Sequence, residues 1–459
     1  MAFPVDQVGK AFSLPFPDKS TLGTIQVMPS TSSTESYLRS NLRFNFTVNL
    51  LDGGLFGFAF GFASFITIIP LFVSQMTDSA LLIGLIPAIH GAGWQFPQLL
   101  TAGWVSRSRR YKPLVLWTTI HERLPFFGLA LVAWFLPGME TRLALTLIYL
   151  LLIWQGFGGG LTANAWTSMI SKIMPDELHG TFFGAQSAAF SGLEGFAAIL
   201  AGLMLDRLDG PLDFTLCFLA ASLALVISYG FLAMTREPSS DPRIPEPGSA
   251  RFLSQASRIL RQNRNFNIFL GARSLAQFAG MGFSFYIIYN VWHFGISEVT
   301  AGTMTGVFLL ATILSSMLMG RLADRWSPRL VMGIGLMAAS VSAAIACLAP
   351  SSAWFYPALA LASMGFVAIW TISIPLSVRF GNASDRPYYI GLANTMVAPA
   401  TILAPILGGW LADTAGFQAT FLVSLTSGLV TAVLLIFALK DPPAGGFPLT
   451  SISQRISLE

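Results

Sequence analysis

The sequence predicts an all-α membrane protein: twelve transmembrane helices arranged as two pseudo-symmetric six-helix bundles. Three observations predict it. Charge is scarce, apolar stretches of membrane-spanning length recur, and the second half repeats residues of the first at near-constant offsets.

Of 459 residues, 54% are hydrophobic and 10% are charged. A soluble domain carries roughly a quarter charged residues. Mean hydropathy is +0.65. So little polar surface cannot cover a water-soluble fold of this size, and the solvent around most of the chain is therefore lipid.

Residues 1–42 read as a polar cytoplasmic tail rich in Ser, Thr and Pro. They lack the basic-then-apolar order of a cleavable signal. Beyond them, a membrane helix needs about 20 apolar residues at about 1.5 Å rise each. Ten stretches without Asp, Glu, Lys or Arg meet that need: 53–76, 79–106, 143–171, 214–235, 274–294, 300–320, 330–350, 351–378, 387–412 and 414–439. Two more are interrupted, 113–135 by Glu122 and Arg123 and 180–205 by Glu194. The ninth and tenth spans meet at Ala349-Pro350-Ser351-Ser352, a turn signal.

Lys and Arg set the orientation. With both termini in the cytoplasm, 22 of the 26 lie in the tails and inner loops, and only Arg142 and Arg207 lie outside. The longest inner segment, 236–264, separates a bundle over 43–235 from one over 265–440, with a tail at 441–459. It opens proline-rich and ends in an amphipathic stretch, Phe252, Leu253, Ala256, Ile259 and Leu260 at helical spacing. That stretch suits the inner leaflet or an ordinary linker helix.

The repeat is read at fixed offsets. At 207, Gly184 meets Gly391, Gly202 meets Gly409, Asp206 meets Asp413 and Phe214 meets Phe421. At 221, Asp52 meets Arg273, and at 217 Gly103 meets Gly320. The order and spacing of these matches argue against chance.

The stretch Gly320 to Arg329, GRLADRWSPR, resembles the signature of the major facilitator superfamily, G-x-L-A-D-R-x-G-R-R, in the loop between the eighth and ninth spans. The equivalent first-half loop reads GWVSRSRRYK, with Arg107 where the signature has Asp. The resemblance covers roughly 43–440. It implies a secondary transporter, or permease, working by alternating access, with spans 1, 4, 7 and 10 lining a central cavity. It also implies a cytoplasmic gate. Asp324 is expected at the positive N-terminus of the fifth helix, near His179–Thr181. Gly320 permits close approach, and Arg325 is expected to reach Asp176 or Glu177. Arg107 is expected to pair with Asp385.

Ionised groups inside a span cost about 2.5–3.5 kcal/mol each. Asp52, Glu122, Arg123, Glu194 and Arg273 are such groups, and each is expected to face the interior. Glu194, near mid-span, is the first candidate for proton coupling, followed by Asp52 and Glu122. Glu122 and Arg123 point about 100° apart on one helix, so they form a network with neighbours instead of with each other. An Asp52–Arg273 pair across the halves is expected, the rival being a partner for each within its own half.

On the four cavity helices implied by the resemblance, the candidate solute-facing residues are Arg273, Asn49, Gln155, Asn164, Trp166, Gln277, Tyr286, Asn290 and Trp370. One clear cation and few amides favour a small, moderately apolar or amphipathic solute. The antiporter motif G-P-x-x-G-G is absent from the fifth span, which reads AAILAG, and a similar APILGG lies in the eleventh. The alternative function is a non-transporting member of the fold that handles lipid, pigment or assembly partners. Four scattered histidines and two cysteines without a CxxC argue against an enzyme, a metal or a cofactor. The expected partners are a solute, a proton and the lipid bilayer, with no nucleic acid. The expected state is a plasma-membrane monomer.

Overall fold

A computed structural model describes residues 32–65, 67–77, 79–208, 210, 212–239, 252–382 and 385–442. These residues are overwhelmingly helical, with no strand among them. Residues 1–31 and 443–459, and most of the proline-rich linker, lie outside the described residues.

The first half comprises α1 (Ser32–Phe62), α2 (Ile68–Ser74), α3 (Ala80–Gln95), α4 (Pro97–Arg107), α5 (Lys112–Phe135), α6 (Thr141–Ile173), α7 (His179–Arg207) and α8 (Leu212–Ala233). The linker contributes α9 (Phe252–Gln262). The second half comprises α10 (Arg264–Gly280), α11 (Tyr286–Phe294), α12 (Glu298–Arg325), α13 (Pro328–Leu348), α14 (Phe355–Val367), α15 (Ser373–Arg379), α16 (Arg386–Thr395), α17 (Ala398–Ala415) and α18 (Phe417–Val433).

Eight helical segments among the described residues are long and apolar enough to cross a membrane. The other expected spans are helical too, for local reasons less uniformly apolar or continuous. The α1 sequence is rich in glycine, and α5 carries Glu122 and Arg123. Proline cannot donate to the helix ladder, and α3 gives way to α4 at Pro97. A 3-10 turn at Met281–Phe285 divides α10 from α11. Between α14 and α15 lies a π-helical turn, Ala368–Ile372, of the kind often found at functional sites.

Two buried cores draw their residues from 46–232 and two from 256–439. Large apolar side chains, including Trp117, Ile199, Leu223, Val226, Leu314 and Trp410, remain exposed on the outer faces. Apolar patches of this extent mark contact with lipid or a partner. Inside the first half α1 crosses α7 with no room for side chains. A methyl at Gly57 or Gly61 would fall 2.3 Å from the carbonyl oxygen of Phe190 or Glu194.

The apolar face of α9 packs on protein. Ala256 and Ile259 are buried in the second-half core, so the inner-leaflet option gives way to a docked linker helix. Each half also closes with an acid just past its last helix. Glu237 accepts from the N–H groups of Tyr111 (2.8 Å) and Lys112 (2.7 Å) at the start of α5, and from Lys172 Nζ (2.8 Å). Asp441 pairs with Arg329 (3.1 Å) and accepts from the Ser327 hydroxyl at the start of α13. Both acids satisfy the polarity of a helix N-terminus, where N–H groups lack intrahelical partners.

Candidate functional site

A cavity of about 640 Å³ lies between the two halves. Pockets of 300–1,000 Å³ suit small organic ligands. All five intramembrane charges line it. A stripe on α7, Phe183, Ser187, Phe190, Ser191 and Glu194, follows the helical repeat along one wall. Trp94, Trp166 and Trp370 contribute aromatic surface, Trp370 from the π-helical turn.

The charges are not equally satisfied. Arg123 donates to Asp52 at 3.0 Å and to Ser228 at 3.1 Å, and Ser228 donates to Asp52 at 2.6 Å. This ties α1, α5 and α8 together. The expected Asp52–Arg273 pair is therefore not formed. Equivalent positions in a repeat do not make two side chains meet, and Arg123 reaches Asp52 from inside the same half. Arg273 instead donates to Ala393 O at 2.9 Å and Asn394 Oδ1 at 2.8 Å, and has no acidic partner among the described residues.

Glu122 accepts from Thr119 at 3.4 Å and, as expected, makes no bond to Arg123. His121 accepts from Trp154 Nε1 at 3.2 Å and stays outside this network. Glu194 makes no hydrogen bond or ion pair among the described residues, although it lines the cavity. An unpartnered carboxyl in a membrane interior is costly when ionised, so it favours a proton or a cation.

Of the expected solute-facing residues, Arg273, Trp166 and Trp370 line the cavity. The others are buried elsewhere. Asn49 Nδ2 donates to Asn45 O at 2.8 Å, and Gln155 Oε1 bonds His90 at 2.9 Å. Asn164 donates to Gln98 O and Pro387 O, both at 2.9 Å. Gln277 approaches Arg273 O at 3.5 Å, Tyr286 bonds Ser342 at 3.0 Å, and Asn290 donates to Tyr286 O at 2.8 Å. A single polar side chain in an apolar helix more often satisfies a nearby polar group than lines a void: four of these six bond backbone, and Gln155 and Tyr286 bond the side chains of His90 and Ser342. His90, Thr119, Gln186 and Asn394 line the cavity without having been singled out. The helical spacing of the α7 stripe around Glu194 is the signal that would have extended the site to the fifth span.

At the end bearing the basic loops the cavity is shut. Asp324 accepts from Gly180 N at 2.7 Å and Thr181 N at 2.5 Å, at the start of α7. Gly180 and Gly320 touch backbone to backbone: a methyl on either would sit 2.4 Å from the other's carbonyl oxygen. Farther along α7 the approach loosens. A methyl would meet only side chains at 3.5–3.6 Å at Gly192 and Gly195, and nothing within 4 Å at Gly202. Helices α7 and α12 thus diverge away from the basic end.

The second jaw of this closure is Arg386, which donates to Ser171 O at 3.0 Å near the end of α6 and lies 3.7 Å from Asp176. A cation at a helix C-terminus is the electrostatic complement of Asp324 at a helix N-terminus. Arg107 is exposed and makes no bond among the described residues, so it does not pair with Asp385 as expected; Gln255 approaches Asp385 at 3.5 Å. Arg325 is exposed as well, and Asp176 is engaged by Arg386 and, at 3.8 Å, by His179. Arg386 starts α16 facing the first half, which brings its side chain where Arg107 was expected to act.

Residues 275–454 match the sequence model of the Major Facilitator Superfamily. An efflux pump, aflT, of Aspergillus parasiticus is 30% identical over 141 residues, covering 31% of this chain and 27% of that protein. The MFS thioclapurine efflux transporter tcpA of Claviceps purpurea is 26% identical over 141 residues, covering 31% and 26%. The chain thus spans about a quarter of the length of these curated relatives. A bacterial homologue of the iron transporter ferroportin, in an outward-facing state, superposes with a TM-score of 0.70 at 15% identity, over 85% of this chain and 98% of that one. A variant of the E. coli fucose:proton symporter FucP gives 0.70 at 17% identity, over 86% and 97%. At these identities the two structures speak for the fold alone.

Proposed function

We propose that this chain is a member of the major facilitator superfamily, as the match over residues 275–454 supports, and a secondary active transporter exporting a small amphipathic solute by alternating access. In this reading twelve spans form two bundles, 43–235 and 265–440, joined by the linker at 236–264. The termini are cytoplasmic, the membrane is the plasma membrane and the unit is a monomer. The separate buried cores and the positive-inside charge distribution support it. The efflux assignments of the fungal relatives support export.

One observation carries the reading: a cavity holding an unpartnered Glu194 is shut at the basic end by Asp324 and Arg386. A solute site closed on one side is half of an alternating-access cycle. Glu194 is the coupling residue, with Glu122 as a second carboxyl lining the same cavity. Asp52, held by Arg123 and Ser228, acts as a structural partner. The aromatic lining takes the body of the solute.

The test uses inverted vesicles with an imposed proton gradient and a panel of fluorescent amphipathic aromatic solutes. At least one is expected to accumulate, and accumulation is expected to collapse with a protonophore. A Ser187→Cys/Ser316→Cys disulfide, at side chains whose oxygens lie 3.2 Å apart, is expected to stop it reversibly. Gradient-insensitive behaviour with every solute would overturn the reading in favour of a non-transporting role.

A further inference from the structure

Among the described residues, the cavity contains one cation without an acidic partner. Arg273 is 6% exposed, lines the cavity, and has a buried Nε with no hydrogen-bond partner. Its two hydrogen bonds go to neutral acceptors on α16, Ala393 O and Asn394 Oδ1. Neutral amides orient a guanidinium without cancelling its charge. A carboxylate binds it more strongly, through charge-assisted and often bidentate bonds.

Asn394 is also a seam residue. Its amide nitrogen donates to Gln98 Oε1 at 2.5 Å, across from α16 to α4. Gln98 is fully buried, and its backbone oxygen accepts from Asn164, which also holds Pro387 O at the start of α16. The cavity cation is thus the first member of a chain, Arg273–Asn394–Gln98, that ends in the contact between the two halves.

We propose that the solute carries a carboxylate that docks on Arg273, and that docking loosens the α4–α16 seam by drawing Arg273 away from Asn394. Arg273 is the solute-binding residue and Asn394 a positioning residue. This rests on the transporter reading and adds to it a head-group class and a route from occupancy to the seam. A neutral solute would leave Arg273 on Asn394 and the seam closed. An ammonium solute would prefer the unpartnered carboxyl of Glu194.

The test uses three probes of one aromatic body: 2-naphthoate, 2-naphthylmethanol and 2-naphthylmethylamine. Binding to the full chain in detergent is read by quenching of the cavity tryptophans. Seam closure is read by the rate at which a short bismaleimide links Ser106→Cys to Tyr388→Cys, in a background carrying Cys217→Ala and Cys347→Ala. The Ser106 and Tyr388 hydroxyls lie 3.5 Å apart across the seam.

Naphthoate is expected to bind tightest and to slow crosslinking about fivefold, the equilibrium change that accompanies loss of one hydrogen bond. Arg273→Gln is expected to weaken naphthoate binding about tenfold or more and, without any probe, to crosslink at the slow, occupied rate. Asn394→Ala is expected to bind naphthoate while its crosslinking no longer responds. Tighter binding of the amine, or no binding of any probe, overturns the head-group assignment. Naphthoate binding with unchanged crosslinking, or an Arg273→Gln seam that links like wild type, overturns the relay. Gradient-driven transport of another solute, stopped by the Ser187–Ser316 crosslink, would leave the transporter reading standing when either part falls.

Discussion

The guanidinium of Arg123 meets the carboxylate of Asp52 at 3.0 Å, with both side chains almost wholly buried. Taking either charge away leaves the other unpaired in a medium that solvates it poorly. Asp52→Asn and Arg123→Gln are each expected to cost about 3–5 kcal/mol of stability. The double variant is expected to recover much of that, because no lone charge remains. Thermal unfolding midpoints in detergent measure it, and strictly additive losses would show that the two residues do not act as a pair.

The Asp324 carboxylate supplies the two acceptors needed by Gly180 and Thr181 at the start of α7. Asp324→Ala removes both bonds and the favourable charge at a helix N-terminus. The closed state is expected to lose about tenfold or more in population. Ser187→Cys, on the cavity wall, is then expected to react faster with an impermeant maleimide added from the basic side. Unchanged reactivity would mean that the latch does not set the equilibrium.

Much of this site was legible in sequence because ionised groups in apolar spans are expensive and therefore conspicuous. That argument found Asp52, Glu122, Arg123, Glu194 and Arg273, and all five line one cavity. The offset of 221 aligns Asp52 with Arg273 in sequence but carries no azimuth, so the pair it suggested is not formed and the rival, a partner for each within its own half, is what the structure has. Gly320 and Asp324 were found because the signature is contiguous. Arg386, Asn394 and Gln98 were missed because their roles arise from which helix faces lie against which across the halves. A lone amide in an apolar helix has no period or motif that reveals such a contact.

Arg386 and Arg107 make a controlled comparison at the same end of the molecule. Arg386 reaches Ser171 O and Asp176 in the opposite half, whereas Arg107 is exposed and unbonded among the described residues. Arg386→Ala is expected to open the basic end much as Asp324→Ala does. Arg107→Ala is expected to stay within about 0.5 kcal/mol of wild type, as surface substitutions do. Exchanging the charges of Arg107 and Asp385 should rescue nothing, since no such pair exists to restore. The maleimide assay at Ser187→Cys reads all three.

Glu237 closes the first half by accepting two backbone N–H bonds and the Lys172 ammonium. Its side chain is 1% exposed, so water does not replace what is lost. Glu237→Gln keeps the shape but turns one acceptor oxygen into a donor facing donors. The expected loss is about 1–3 kcal/mol, seen as a lower unfolding midpoint. Lys172→Met leaves the two backbone bonds in place and is expected to cost less in the Glu237→Gln background than in wild type. Equal costs in both backgrounds would separate the two residues.

Glu194 is the sharpest test of coupling, because it has no partner among the described residues whose loss would confuse the result. A carboxyl that takes a proton on one side of the membrane and gives it up on the other must be able to ionise. Glu194→Gln fixes the neutral form while keeping size and hydrogen-bonding capacity. Gradient-driven accumulation is expected to fall to the level seen with a protonophore. Solute exchange without a gradient is expected to persist, because the cavity and its closure are intact. Glu122→Gln provides the comparison within the same cavity. If it abolishes accumulation while Glu194→Gln does not, coupling belongs to α5. If neither variant changes gradient-driven flux, the proton coupling proposed for this cavity falls.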